Sequence, residues 1–242
     1  MKELLKSKYN QEMFSPGLMG IFINPFYFAR KELYREMTRF SCQISGKILD
    51  VGCGSKPYQG LFTSVSEYIG LEYDTPQNRV AKRADYFYDG NTFPFGDMIY
   101  DSVICNQVLE HVFNPNQFLN EILRVLKPGG NLLLTVPFVW DEHEQPWDYA
   151  RYSSFGLKSL LERNGFVVVE QRKTNADARV LFQLINAYLY KILQTSNAKV
   201  NLLVCVVIMA RFNVLGILLG KLLPANPDLY LDQVVLARKR TE

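Results

Sequence analysis

Three groups of residues have the types and spacing to do chemistry. The first is IleLeuAspValGlyCysGlySer (48–55), where an apolar run ends at Asp50 and turns through Gly52-x-Gly54. Glycine at these two positions allows unusual backbone angles and lets the main chain approach a ligand closely. More than one nucleotide-binding fold uses such a turn. A dinucleotide site wants a third glycine three residues on, where a helix N-terminus holds the pyrophosphate. That position is Pro57, so a pyrophosphate is the weaker expectation. About twenty residues later a second apolar run ends in Glu72. Taken alone, Glu72 is a solvated strand end. Its spacing from the two glycines favours a carboxylate that accepts hydrogen bonds from both hydroxyls of a ribose, and Asp74 could substitute for it.

The other two groups lie further along. Asn106 and Gln107 close a run that begins at Tyr100, and His143, Asp148, Arg151 and Tyr152 follow the apolar run 132–136. Histidine is the side chain whose ordinary pKa lies near neutrality, so His143 is the expected general base. The competing expectation is that it ties down its loop through Asp148. Arg151 has a rigid bidentate fork suited to an anionic or sugar acceptor, or to an ion pair with Asp148. His111 is expected to pack or cap, and Trp140 and Trp147 either stack on an acceptor or pack a lid.

These residues need a scaffold, and the pattern supplies one. Short apolar runs at 47–51, 68–72, 84–88, 101–105, 132–136, 166–170 and 230–238 alternate with helical stretches such as 114–127 and 153–164. That alternation predicts a parallel sheet covered on both faces. At 242 residues, with 48% apolar and 21% charged, the chain suits one α/β domain with elaborations. The expected division is a helical cap (1–45), a core (46–175), an apolar helical insertion (176–225) and a closing strand (226–242). A net charge of +3 without a basic stripe argues against nucleic acid as a partner. Four scattered cysteines without a CxxC pair, and only two histidines, suggest no metal site, no disulfide framework and a reducing compartment. The N-terminus does not read as a signal peptide, so a cytoplasmic location is expected.

The ordered motifs AspGlyAsnThrPheProPhe (89–95), TyrAspSerValIleCysAsnGlnValLeuGluHisVal (100–112) and LeuLysProGlyGlyAsnLeuLeuLeuThrVal (126–136) add to the glycine turn and Glu72. From about Lys47 to Val136 the chain resembles the class I S-adenosylmethionine (SAM)-dependent methyltransferases of the methyltransferase-11 type. The resemblance implies a Rossmann-like, seven-stranded, mostly parallel sheet with helices on both faces, a helical lead-in and a helical insertion before the last strand. It implies that Asp50, Gly52, Cys53 and Gly54 line the methionine and ribose part of SAM, and that Glu72 holds the ribose. It places Asp89, with Gly90 beside it, at the adenine amino group, and Asn106 and Gln107 near the methionine end. Residues 137–154 are similar, more loosely, to a bacterial branch of the family associated with cell-surface polysaccharide and lipid biosynthesis. The resemblance implies methyl transfer to a small acceptor, a sugar or a lipid-linked intermediate. A quinone-ring methyltransferase and a non-catalytic SAM-binding scaffold are the alternatives.

The apolar stretch 199–223 is interrupted by Arg211, which costs about 2.5–3.5 kcal/mol at a bilayer centre and argues against spanning. Core packing is the first expectation for it. A homodimer interface and a peripheral contact with the inner face of the membrane are the others.

Overall fold

The computed structural model describes residues 2–81 and 84–241. Along the chain run α1 (Lys2–Phe14), α2 (Gly20–Ile23), α3 (Tyr27–Ser41), β1 (Gly46–Val51), β2 (Val65–Tyr73), α4 (Pro76–Ala81), β3 (Tyr86–Tyr88), β4 (Tyr100–Asn106), α5 (Pro115–Val125), β5 (Leu126–Pro137), α6 (Ser154–Arg163), β6 (Phe166–Lys173), α7 (Arg179–Leu193), α8 (Ala198–Val204), α9 (Ala210–Leu222) and β7 (Asp232–Lys239). A π-helical turn, Cys205–Met209, joins α8 to α9. The chain divides into two compact units, one made of residues 36–138, 142–172 and 233 onward, the other of residues up to 35, 139–141 and 173–232.

The first unit carries a seven-stranded sheet in the order β3-β2-β1-β4-β5-β7-β6. The ladders β1–β2, β1–β4, β2–β3 and β4–β5 are parallel. This is the covered parallel sheet that the alternating pattern predicts, in the Rossmann-like, seven-stranded form that the resemblance implies. Near-continuous apolar strands are the reason: Leu49, Val51, Val103, Cys105, Leu132 and Leu134 are all fully buried, as strands covered on both faces must be. Helix α5 shows how the covering layer forms. The Asn114 side chain caps it by accepting from the Gln117 N–H, Pro115 opens it, and Phe118, Leu119, Ile122 and Val125 lie on its buried face. Each such side chain contributes about 1.5–3 kcal/mol when buried.

Some boundaries differ from expectation. The strand expected over 84–88 is confined to β3, and β5 begins at Leu126 rather than 132. In that ladder Tyr100 pairs with Leu126 while Ser102 pairs with Asn131, so LysProGlyGly is looped out inside a strand. Gly129, with φ +73°, makes that detour.

From β1 the chain runs outward to β2 and β3, then crosses back to place β4 on the opposite side of β1. The strand order therefore reverses between β1 and β4. Ligands of open α/β sheets bind outside the strand carboxyl ends at such a switch point.

In the second unit the lead-in and the insertion belong to one body. The buried Gln183 of α7 accepts from the Phe28 and Ala29 N–H groups and donates to the Pro25 carbonyl. Asn213 of α9 donates to the Ile21 and Asn24 carbonyls and accepts from Asn186. These buried amides satisfy main-chain groups that helix ends leave open. Cys205, Met209, Ala210, Asn213 and Gly216 form the packed face of the long helix. Its other face exposes Leu202, Leu203, Val206, Val207, Val214, Leu215, Leu218 and Leu222. Packing, the first expectation, therefore accounts for only one face. The helix Ala198–Leu222 is long and apolar enough, by length and composition, to cross a membrane, and most of its apolar stretch is not buried.

Candidate active site

The site begins with the turn after β1. Gly52 and Gly54 both have left-handed backbones, at φ +69° and +49°. The N–H groups of Gly52 and Cys53 donate to the Leu71 carbonyl, which fastens the turn to the end of β2. The Gly54 N–H donates to a Glu72 carboxylate oxygen at 2.9 Å, and Tyr73 N–H donates to the other at 3.2 Å. Gly54 and Glu72 therefore meet. They line an open pocket of about 230 Å³ together with Ser55, Asn78, Ala81 and Ala84. A Cβ placed on Gly54 would have nothing within 4 Å, so the turn leaves open space beside the carboxylate. An acceptor-only carboxylate beside a glycine-lined opening fits a ribose diol and the nucleoside attached to it.

Asp50 is the hidden member of the turn. It is buried, and its carboxylate accepts from Tyr68 Oη at 2.6 Å. Burial pushes its pKa up to about 7; the Tyr68 hydrogen bond and Lys56 oppose this, and the Glu72 charge adds to it. Cys53 is buried beside it. Burial first, then Asp50 and Glu72, push its thiol up to about 12, so it packs and does not act as a nucleophile. Lys56 pairs with Asp85, which also accepts from the Gly70 N–H. Sequence reasoning missed Tyr68, Lys56 and Asp85. Only Tyr68 left a signal: a buried acid at the end of β1 needs a donor from a neighbouring strand.

Other expected cofactor residues surround the turn without lining that pocket. Asp89 is exposed and accepts from the Asn91 and Thr92 N–H groups, bonds that lower its pKa. Gly90 follows it, with its Cα against the Tyr73 ring. Asn106 and Gln107 are joined by Thr135 of β5. The Thr135 hydroxyl donates to Asn106 and accepts from the Gln107 main-chain and side-chain N–H groups. Gln107, at φ +56°, bends the chain out of β4. Val108 follows and packs against Gly52.

The loops after β4 and β5 meet in the same unit. Glu110 and His111 lie in a 3-10 turn, Leu109–His111, that follows β4. The Glu110 carbonyl accepts from the Tyr149 and Ala150 N–H groups, and a His111 ring nitrogen, Nδ1, lies 2.7 Å from the Trp147 carbonyl. His143 reaches the same place, its ring centroid 4.8 Å from that of His111. His143, Asp148 and Arg151, the expected catalytic trio, form one cluster. Asp148 accepts from both Arg151 terminal nitrogens, at 2.6 and 2.7 Å, and from the His143 main-chain N–H at 2.9 Å.

Burial alone would raise the Asp148 carboxyl. The Arg151 fork and the His143 N–H outweigh it and hold the pKa at about 2. The folded value lies below the unfolded one, so this stabilisation is present above about pH 4 and is lost as pH falls towards 2. Acid titration of Arg151→Ala, followed by circular dichroism, should show about 2 kcal/mol less dependence of stability on pH in that window.

A family model for the methyltransferase domain matches residues 26–171. The chain belongs to the methyltransferase domain family. S-adenosylmethionine is the cofactor of this family, and the Glu72 carboxylate beside the glycine turn is an acceptor suited to the ribose hydroxyls of its nucleoside. A probable S-adenosylmethionine-dependent methyltransferase of Mycolicibacterium smegmatis is 32% identical over 164 residues, which are 62% of this chain and 62% of that protein. The O-methyltransferase rstn1 of Aspergillus nomiae is 27% identical over 59% of this chain and 74% of its own length. The chain thus spans less than two thirds of the length of the mycobacterial relatives it matches. Phosphoethanolamine N-methyltransferase 2 of Haemonchus contortus, solved with S-adenosyl-L-methionine, has the same fold, at a TM-score of 0.55, 18% identity, and coverage of 95% of this chain and 59% of that one. So has the [4+2]-cyclase SpnF, at a TM-score of 0.56, 19% identity, and coverage of 88% and 82%. The second neighbour is a reminder that the fold hosts more than one chemistry.

Proposed function

We propose that this member of the methyltransferase family transfers a methyl group from SAM to a sugar or lipid-linked intermediate of cell-surface polysaccharide biosynthesis, working at the inner face of the membrane. The observation that carries the cofactor half is the Glu72 carboxylate held against Gly54 at the mouth of the pocket. Glu72 would take the ribose hydroxyls, the turn from Asp50 to Gly54 the methionine end, and Asp89 the adenine. SAM brings a methyl group on a sulfonium, which is already a good leaving group. The protein's task is then to align acceptor, methyl carbon and sulfur, and positioning of this kind lowers a barrier by roughly 7–11 kcal/mol.

The acceptor half rests on the second unit. Its long helix shows an apolar face, and the stretch 178–227 contains Arg179, Lys191, Lys199, Arg211 and Lys221 but no carboxylate. Arg179 and Lys191 are paired with Asp177 and Asp141, which leaves Lys199, Arg211 and Lys221 as the cations of the long helix. Apolar surface with cations beside it suits an anionic bilayer surface. The homodimer expected from the same face is the competing use, and the protein's mass in solution at micromolar concentration tests it.

Glu72→Ala should weaken SAM binding about 10- to 100-fold by calorimetry, because hydrogen bonds to a charged group are worth about 1.5–3 kcal/mol. His143→Ala should lower turnover about 100-fold or more while SAM affinity stays within twofold, as befits a residue on the acceptor side. Unchanged turnover would remove His143 from the chemistry.

Incubation of the protein with methyl-labelled SAM and a host extract, followed by phase partition, tests the whole reading. Label in organic material that carries sugar supports it. Label in a quinone fraction supports the ring-methylating alternative. SAM binding without any labelled product replaces methyl transfer with the scaffold role.

A further inference from the structure

We propose that Glu110, His111 and His143 form a binding site for a divalent transition-metal ion of the zinc class. The chain contains only two histidines, and the fold brings both to one buried carboxylate. A nitrogen of each ring and an oxygen of Glu110 all lie within 4.8 Å of one another. Two histidines and a glutamate, with a fourth position open, are a ligand set that zinc accepts at catalytic sites.

The hydrogen bonds around the pair point the same way. The Trp147 carbonyl can only accept, so at 2.7 Å the Nδ1 of His111 must be its donor. Neutral His111 then presents an Nε2 lone pair, and that atom lies 3.8 Å from Glu110 Oε1. A lone pair facing a carboxylate is repulsive unless a positive charge lies between them. The distance is close to the roughly 3.4 Å that separates ligand atoms around tetrahedral zinc. The Glu110 side chain is fully buried, whereas those of His111 and His143 are 20% and 30% exposed, which leaves an approach from the histidine side. His143 carries its own outer partner: its Nδ1 lies 3.3 Å from the Asp148 carboxylate that Arg151 grips. Carboxylates and carbonyls in these positions are the groups that orient metal-binding histidines.

His143, in the loop after β5, is on the acceptor side in the function proposed above. On that reading, which this second part rests on, the open position takes an acceptor oxygen. His143 then serves as a ligand, and the metal activates the oxygen.

The test uses chelator-stripped, tag-free full-length protein titrated with Co²⁺ and followed by visible d–d absorption, with Zn²⁺ as competitor. One equivalent should bind, and His111→Ala and His143→Ala should each weaken binding at least 100-fold while circular dichroism is unchanged. Glu110→Gln, which keeps the buried volume, should also weaken it. Equal cobalt binding by wild type and the His111→Ala/His143→Ala variant overturns the site, as does no binding at all; in that case a proton on His111 fills the gap. SAM calorimetry on the same samples separates the two proposals. SAM binding without cobalt binding removes the metal and spares methyl transfer. Cobalt binding without methyl transfer does the reverse.

Discussion

Asp50→Asn should make the ligand-free protein about 4 kcal/mol less sensitive to pH between 4 and 7. Burial pushes the wild-type carboxyl up to about 7 when folded, against 3.8 for a free aspartate side chain. Across that window the folded chain holds a proton that the unfolded chain has released, so stability falls as pH rises, by about 1.4 kcal/mol per unit. The contribution is complete below about pH 4 and lost above about pH 7. Asparagine keeps an oxygen for the Tyr68 hydroxyl and has no charge to bury. Urea unfolding at pH 4.5 and pH 8 measures the effect. Equal slopes in both proteins would show that the carboxylate is ionised in the fold. The same proton bears on the cofactor: a cationic ligand beside Asp50 expels it, so SAM affinity should rise towards pH 7 in the wild type and stay flat in the variant.

Gly52→Ala should cost about 2–4 kcal/mol of stability and most of the SAM affinity. Two independent causes combine. The backbone at φ +69° is left-handed, which costs a residue with a Cβ about 1–2 kcal/mol. The added Cβ would also stand 2.3 Å from Val108 Cγ2, closer than carbon atoms can approach. Either the turn or the loop after β4 must move, and the turn is what meets the cofactor. Val108→Ala in the same chain should restore the steric part and leave the backbone part, so a double-mutant cycle separates them. Full additivity would show that the two residues do not touch.

The sheet was readable because buried parallel strands are nearly all apolar and helices interrupt them at regular intervals. The Gly54–Glu72 contact was readable for a related reason. Gly54 lies in the turn after β1 and Glu72 near the end of β2, and consecutive strands of such a sheet are usually neighbours. The extent of β5 was not, because ProGlyGly ends a helix in most contexts and here is looped out inside a ladder. The link from Asn106 through Thr135 to Gln107 depends on register between strands, which composition does not set. The meeting of His111 with His143 was the hardest to foresee. Each lies after a different strand, 32 positions apart, and counting histidines argued against any joint role. What brings them together is the Glu110 carbonyl and the Trp147 carbonyl, main-chain groups that every residue type supplies.

The hydrogen bonds of Gln183 also set an order of events during synthesis. The main-chain groups at Pro25, Phe28 and Ala29 find their partner on a side chain more than 150 residues downstream. At about 5–20 residues per second, the nascent chain carries its first helices for roughly 8–30 s before that partner is made. During that interval the apolar side chains Tyr27 and Phe28, buried in the finished protein, lack the residues that cover them. The strands of the sheet up to β5 are completed first, so the helical unit is the part of this molecule most exposed to chaperones and to misassembly.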